Sequence, residues 1–181
     1  MLIFCISLLF PNTKQRIFYQ TFEQIGLFSE KPIMIFSHQH NDLYKTAINI
    51  TKDNIYFGVG VKNFRHKCSM DKYKISDYSC STHPHNSYVQ LATELGLIGL
   101  IFGFTILFLL LASVLKHFKY QFRNKYYFDD FQVCLISAIL ISVFPLVPTG
   151  NLFNNWLNIV YYYPIGILLW SIEKNKKLIK N

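Results

Sequence analysis

The chain is 181 residues long, 51% hydrophobic and 17% aromatic with only 15% charged residues, well below the ~25% charged share of ordinary globular proteins, which argues against a freely soluble domain. Its formal charge of +8 comes from basic residues that are scattered or flank apolar runs. With no RNA- or DNA-binding signature, this excludes nucleic acid as a partner and points to a membrane protein with basic flanks.

Met1 to Phe10 is apolar but about half the length that crosses a bilayer. It has neither the basic start nor the small-residue cleavage site of a signal peptide. Residues 1–11 therefore read as a partial membrane segment, and the chain as the C-terminal piece of a larger polytopic protein. Residues 12–94 are too polar for lipid and read as one long loop. Within it, Ile17, Phe18, Phe22 and Ile25 recur at helical spacing across residues 14–28, predicting a helix lying on the membrane surface or packed against spans. A second helix is predicted over Asp42 to Thr51, with Asn41 as its N-cap. Gly58 and Gly60 mark a tight turn or a close backbone approach.

Apolar runs at 95–115, 132–149 and 153–172 are of the length that spans a bilayer, the middle one slightly short and carrying Pro145 and Pro148. The last has Trp156 and Tyr161 to Tyr163 near one end and Trp170 near the other, as in an interfacial aromatic belt. The connector 116–131 holds Lys116, Lys119, Arg123 and Lys125, and the tail 173–181 holds Lys174, Lys176, Lys177 and Lys180. Both read as cytoplasmic, which puts Gly150-Asn151 and the long loop outside; a loop of more than ~60 residues does not obey the charge rule. The fold class is therefore mainly α: a polytopic α-helical membrane protein with a large extracytoplasmic helical loop.

Cys68 and Cys80 lie in that outer loop, where disulfides persist, while Cys5 and Cys134 lie in apolar runs. A Cys68–Cys80 bridge is predicted, contributing about 3 kcal/mol through chain entropy, against the alternative of two unpaired thiols. It would fasten the stretch carrying Lys62 and Arg65 beside the turn carrying His83 and His85.

His83 and His85 flank Pro84, a residue suited to the first turn of a helix. His85 is then expected within the first turn of the helix that enters the membrane. There the helix dipole disfavours imidazolium, leaving a neutral base, while free N–H groups hold an anion. Two other readings stay open. His38, His40, His83 and His85 form two HxH pairs that a metal uses, although no spacing matches a standard site and no thiol or carboxylate completes one. Alternatively the imidazoles hydrogen-bond loop backbone. Gly96, Gly99 and Gly103 fall on one helix face, letting a neighbouring backbone approach. Glu94 reads as an interfacial carboxylate or a second polar participant, and Tyr88 and Gln90 as scaffold.

His85-Asn86, nine further residues and then Gly96-Leu97-Ile98-Gly99 resembles the pattern of the O-antigen ligase and polymerase superfamily. Gly58-Val59-Gly60, Lys62-Asn63-Phe64-Arg65 and Cys80 to Tyr88 are similar to the flanking text, so the resemblance runs from about Asn41 to Leu115. It implies a bacterial inner-membrane protein with a periplasmic loop and a cytoplasmic C-terminus. Its implied reaction transfers an undecaprenyl-diphosphate-linked glycan to a hydroxyl of lipid A-core or of a growing glycan, with inversion and with neither metal nor cofactor. His85 falls on the family's essential histidine, with His83, Asn86 and His40 in support. Arg65, beside Lys62, is the candidate for the diphosphate, because guanidinium stays charged and chelates phosphate with paired donors. The chain departs from the pattern where members carry a loop arginine before the helix near Asp42: here His38-Gln39-His40 stands. The additional N-terminal spans of the family are also missing from it. The competing function is a non-catalytic membrane component of a polysaccharide export or assembly system.

Overall fold

The computed structural model describes residues 12, 15, 19–25 and 36–180. The expected membrane segment at 1–11 lies outside them, and the helix expected over 14–28 is described as α1, Gln20–Ile25. Among the described residues the structure is helical, with no strand.

Helix α2, His38–Asp53, begins four residues before the expected start. Ser37, rather than Asn41, is the N-cap, its hydroxyl accepting from His40 N–H at 3.5 Å. Leu43, Ala47 and Ile50 recur along one face of α2 and are buried against Phe64, Cys68 and Tyr73, forming the core of the loop region. Phe64 opens the short helix α3, Phe64–Lys67. Asp53 at the end of α2 accepts from Tyr73 Oη at 3.0 Å and pairs with Lys72 at 2.6 Å, tying the 69–74 turn back to the helix.

Helix α4, Ser87–Gln121, is not the continuous rod expected to enter the membrane. It breaks at Gly96, where φ is 67° and ψ is −153°. A break of this kind strips backbone groups of their helical partners, and the segment just after α2 supplies replacements. Val59 N–H donates to Thr93 C=O and Gly60 N–H to Glu94 C=O, each at 2.9 Å, while Leu97 N–H donates to Ile55 C=O at 2.7 Å. The crossing is backbone on backbone. A Cβ on Gly96 would collide with the Tyr56 carbonyl, and one on Gly58 (φ 65°) with the Glu94 peptide. Gly99 and Gly103 serve the same bend: they face Leu91, Leu95 and Tyr88 of their own helix, so the arm 87–95 folds back on the arm from 97 onward. The Tyr88 and Phe104 rings meet across the fold at 4.9 Å. The glycine stripe therefore admits not a separate helix but the other half of the same one.

Among the described residues, Ser87–Gln121 is the one helix both long and apolar enough to cross a membrane. The second apolar run is helical only over α5, Asp130–Ser142, 13 residues. Asp129 and Gln132 close its start as a capping box, and Pro145 and Pro148 lie beyond its end. The third run forms α6, Asn155–Lys180, 26 residues with Pro164 inside. Ile136 and Ile139 of α5 pack with Leu168 of α6 and Phe128, joined by Leu110 and Val114 of α4. At the connector end Gln132 Nε2 donates to Ser171 Oγ at 3.1 Å and Asn175 Nδ2 to Asp129 at 2.8 Å. The opposite end carries the connector 143–154.

Replacing Gly96 by Ala combines a left-handed backbone with a backbone collision and should cost at least about 2 kcal/mol. The expected outcome is a sharply lowered unfolding temperature or loss of folded protein from the membrane fraction, with Gly166→Ala, whose Cβ would meet nothing within 4 Å, as the control that stays near the parent.

Candidate functional site

The residues that open α4 are laced to the 143–154 connector. Asn86 Nδ2 donates to Pro145 C=O at 2.6 Å, Tyr88 Oη to Val143 C=O at 2.8 Å, and Thr149 N–H to His85 C=O at 2.9 Å. The Ser87 and Thr149 hydroxyls lie 2.9 Å apart. The loop region and the 143–154 connector are therefore one structure, with the histidine turn held between them.

The N-cap of α4 is Asn86, whose side-chain oxygen accepts from Tyr88 and Val89 N–H at 3.0 and 3.1 Å. This corrects the expectation for His85. It stands just before the cap with a left-handed φ of 58°, not within the first turn, and the amides of residues 88 and 89 are already spent on Asn86 rather than free for an anion.

Three imidazoles gather at the turn. His85 is 4.2 Å from His83 and 5.7 Å from His40, ring centre to ring centre. His83 is buried, its Nε2 3.2 Å from Thr149 C=O and its Nδ1 3.0 Å from the Thr82 hydroxyl. Only an N–H satisfies the carbonyl, so His83 carries its proton on Nε2 and accepts from Thr82 on Nδ1. His40 Nδ1 lies 2.8 Å from Ser37 Oγ, and His85 Nε2 lies 3.2 Å from Ser81 Oγ. His85 Nδ1 has no hydrogen-bond partner among the described residues, and the side chain is half-buried. The neutrality expected of His85 thus has another cause than a helix dipole. Burial lowers its pKa first, and the neighbouring His40 lowers it further. His83 is lowered chiefly by burial and then by His85; the Thr149 carbonyl opposes them, and Arg65 adds the smallest lowering. His38 lies apart from the three: it is exposed, with Nδ1 3.7 Å from Asp42. Among the described residues no group of three or more ligating side chains is arranged to hold a metal ion.

Arg65, on α3, and Lys62, just before it at φ 61°, are exposed, and neither has a carboxylate partner among the described residues. Two ties fix their segment. Cys68 and Cys80 are bonded, with Cα atoms 5.0 Å apart, joining the end of α3 to the start of the histidine turn. Glu94 is fully buried rather than placed at a lipid edge, and its Oε1 accepts from Phe64 N–H at 3.2 Å. Ser81 and Thr149, which contact two of the imidazoles, escaped the sequence reading. The signal for Thr149 was the polar stretch Thr149-Gly150-Asn151 between two apolar runs.

The disulfide thus joins the segment of Arg65 and Lys62 to the histidine turn, which stands at the start of the long apolar helix. The family model described as O-antigen ligase matches residues 41–104, the stretch that contains α2, the Gly58–Gly96 crossing, Arg65 and the histidine turn. The resemblance to the O-antigen ligase superfamily is therefore supported over this part of the chain, about a third of its length. No curated protein and no solved structure matches the chain.

His85 should titrate below about 6.5 in histidine-resolved NMR, and His40→Ala should move that midpoint upward, since the neighbouring His40 contributes to the lowering. A downward move would contradict the arrangement. Replacing Cys68 and Cys80 by Ser should cost about 3 kcal/mol, read as a lower unfolding temperature that reductant does not lower further.

Proposed function

We propose that the chain carries the catalytic loop of an enzyme that transfers a glycan from undecaprenyl diphosphate to an acceptor hydroxyl at the outer face of a bacterial inner membrane. The single observation that carries this reading is a half-buried imidazole with a lowered pKa and a free Nδ1, His85, in a turn that the Cys68–Cys80 bond joins to the segment of the exposed cations Arg65 and Lys62.

In the mechanism, His85 is the general base. Its neutral ring takes the proton of the acceptor hydroxyl as that oxygen attacks the anomeric carbon, and the bond to the diphosphate breaks on the opposite face, inverting the centre. Undecaprenyl diphosphate leaves with the bonding electron pair. Arg65, with Lys62 beside it, neutralises the charge on the departing diphosphate. Burial, and after it the neighbouring His40, disfavours the charged form of His85 and so keeps its ring available as a base. Behind the turn an apolar recess of ≈100 Å³, lined by Tyr88, Leu91, Phe102, Ile139 and Tyr162 among others, offers the lipid part of the donor a surface within the bilayer. The acceptor is a hydroxyl of lipid A-core in a ligase or of a growing glycan in a polymerase; the chemistry at His85 is the same for both.

The test is His85→Ala in the native membrane. Loss of a general base should lower transfer by roughly 10²–10⁴-fold and abolish surface glycan at unchanged protein level; normal glycan in that variant would overturn the reading. In the parent, a base is active only when unprotonated. Activity is therefore expected to hold from pH 7 down to about 6.5, the ordinary histidine value, and to fall at lower pH as His85 titrates.

A further inference from the structure

Glu94 and Gln90 form a polar relay that neither the resemblance nor the family match assigns. Glu94 Oε1 accepts from Phe64 N–H at 3.2 Å, and its Oε2 accepts from Gln90 Nε2 at 3.1 Å. Gln90 Nε2 also donates to Asn151 Oδ1 at 2.8 Å, and Gln90 Oε1 accepts from Leu152 N–H at 3.0 Å. Asn151 Oδ1 in turn accepts from Phe153 N–H at 2.9 Å. Gln90 and Glu94 are both fully shielded from solvent, and Asn151 is buried.

This chain of bonds ties together three stretches that are remote in sequence: the start of α3, which carries Arg65; the first arm of α4, which Asn86 caps just after His85; and the 143–154 connector, which holds His83 through Thr149. A buried carboxylate is costly unless its hydrogen bonds are made, so a glutamate here, spent on a backbone amide next to Arg65, needs a reason.

We infer that Glu94 and Gln90 are positioning residues that set Arg65 relative to His85 and so determine how the diphosphate of the donor is held. The inference rests on the transfer reaction proposed above. Every bond in the relay has its direction fixed by chemistry: Phe64 and Leu152 present N–H groups, so Glu94 must accept on both oxygens while Gln90 donates to it. Glu94→Gln brings an amide N–H₂ either against Phe64 N–H, so that α3 must shift, or against Gln90 Nε2, so that the link from α3 to the connector breaks; in both orientations the relay no longer fixes Arg65. Exchanging the two residues, Glu94→Gln with Gln90→Glu, restores acceptance from Phe64, the link between positions 90 and 94, and acceptance from Leu152, losing the bond to Asn151.

The experiment measures transfer by membranes holding the parent, E94Q, the E94Q/Q90E exchange and His85→Ala, with undecaprenyl-diphosphate-linked glycan as varied donor and then with varied acceptor. E94Q should raise the KM for donor roughly tenfold or more, as displacement of a binding group by about an ångström does, leave the KM for acceptor within a factor of about two, and be substantially corrected by the exchange. A general loss of packing would instead lower active protein without a selective donor effect, and the exchange would compound it. Parent-like donor KM in E94Q, or equal effects on donor and acceptor, overturns the relay. Failure of the transfer reaction itself is separately visible, since the parent would then transfer no more than His85→Ala.

Discussion

The structure depends on one contact between two backbones. Where Gly58 meets Gly96, no side chain intervenes, and three hydrogen bonds from the 55–60 segment take over the peptide groups that the break in α4 releases. An unsatisfied buried peptide group costs free energy comparable to a lost hydrogen bond, so the bend and the segment that crosses it stand or fall together. Because that segment runs directly into Lys62 and α3, the same contact that permits the helix to turn also fixes where the cations begin. The long apolar helix and the loop region are thus not two modules joined by a linker.

The second consequence is electrostatic. The turn concentrates three imidazoles where protonation of more than one is penalised, and it does so without a helix dipole, since Asn86 absorbs the first amides of α4. Burial and mutual proximity therefore do the work of keeping His85 uncharged. The positive charge of the site is instead placed on Arg65 and Lys62, outside the ring cluster and exposed to whatever approaches. Base and cation are kept apart yet braced, by the Cys68–Cys80 bond on one side and by Glu94 on the other.

Much of this was legible in the sequence, and the parts that were not share a cause. The helical character, the long apolar helix and the family resemblance rest on local composition and spacing, which the chain states openly. The His85-Asn86 to Gly96-Gly99 spacing identified the stretch, but periodicity assumed one continuous helix through it. A glycine inside a helix pattern does not say whether it packs a neighbour or breaks the helix; here Gly96 breaks it, because the partner segment at 55–60 exists to satisfy the ends. The start of α2 was misplaced for a similar reason: Ser37 and Asn41 are both good caps, and the choice of Ser37 follows from the bond it makes to His40. Glu94 was read from its place at the edge of an apolar run, whereas its burial is decided by Phe64, 30 residues upstream. The 132–149 run is slightly short for a span and carries Pro145 and Pro148, which fall in the connector that holds the histidine turn rather than in α5.

The ties between the histidine turn and the outer connector also impose an order on assembly. His83 finds its carbonyl 66 positions later in the chain, and Ser87 its hydroxyl partner 62 positions later, so neither tie can form before Thr149 has been made. The Gly58–Gly96 crossing, by contrast, needs nothing beyond residue 97. The bend in the long helix is thus the more local closure and the histidine tie the more distant one, and the distant one carries the larger loop-closure entropy.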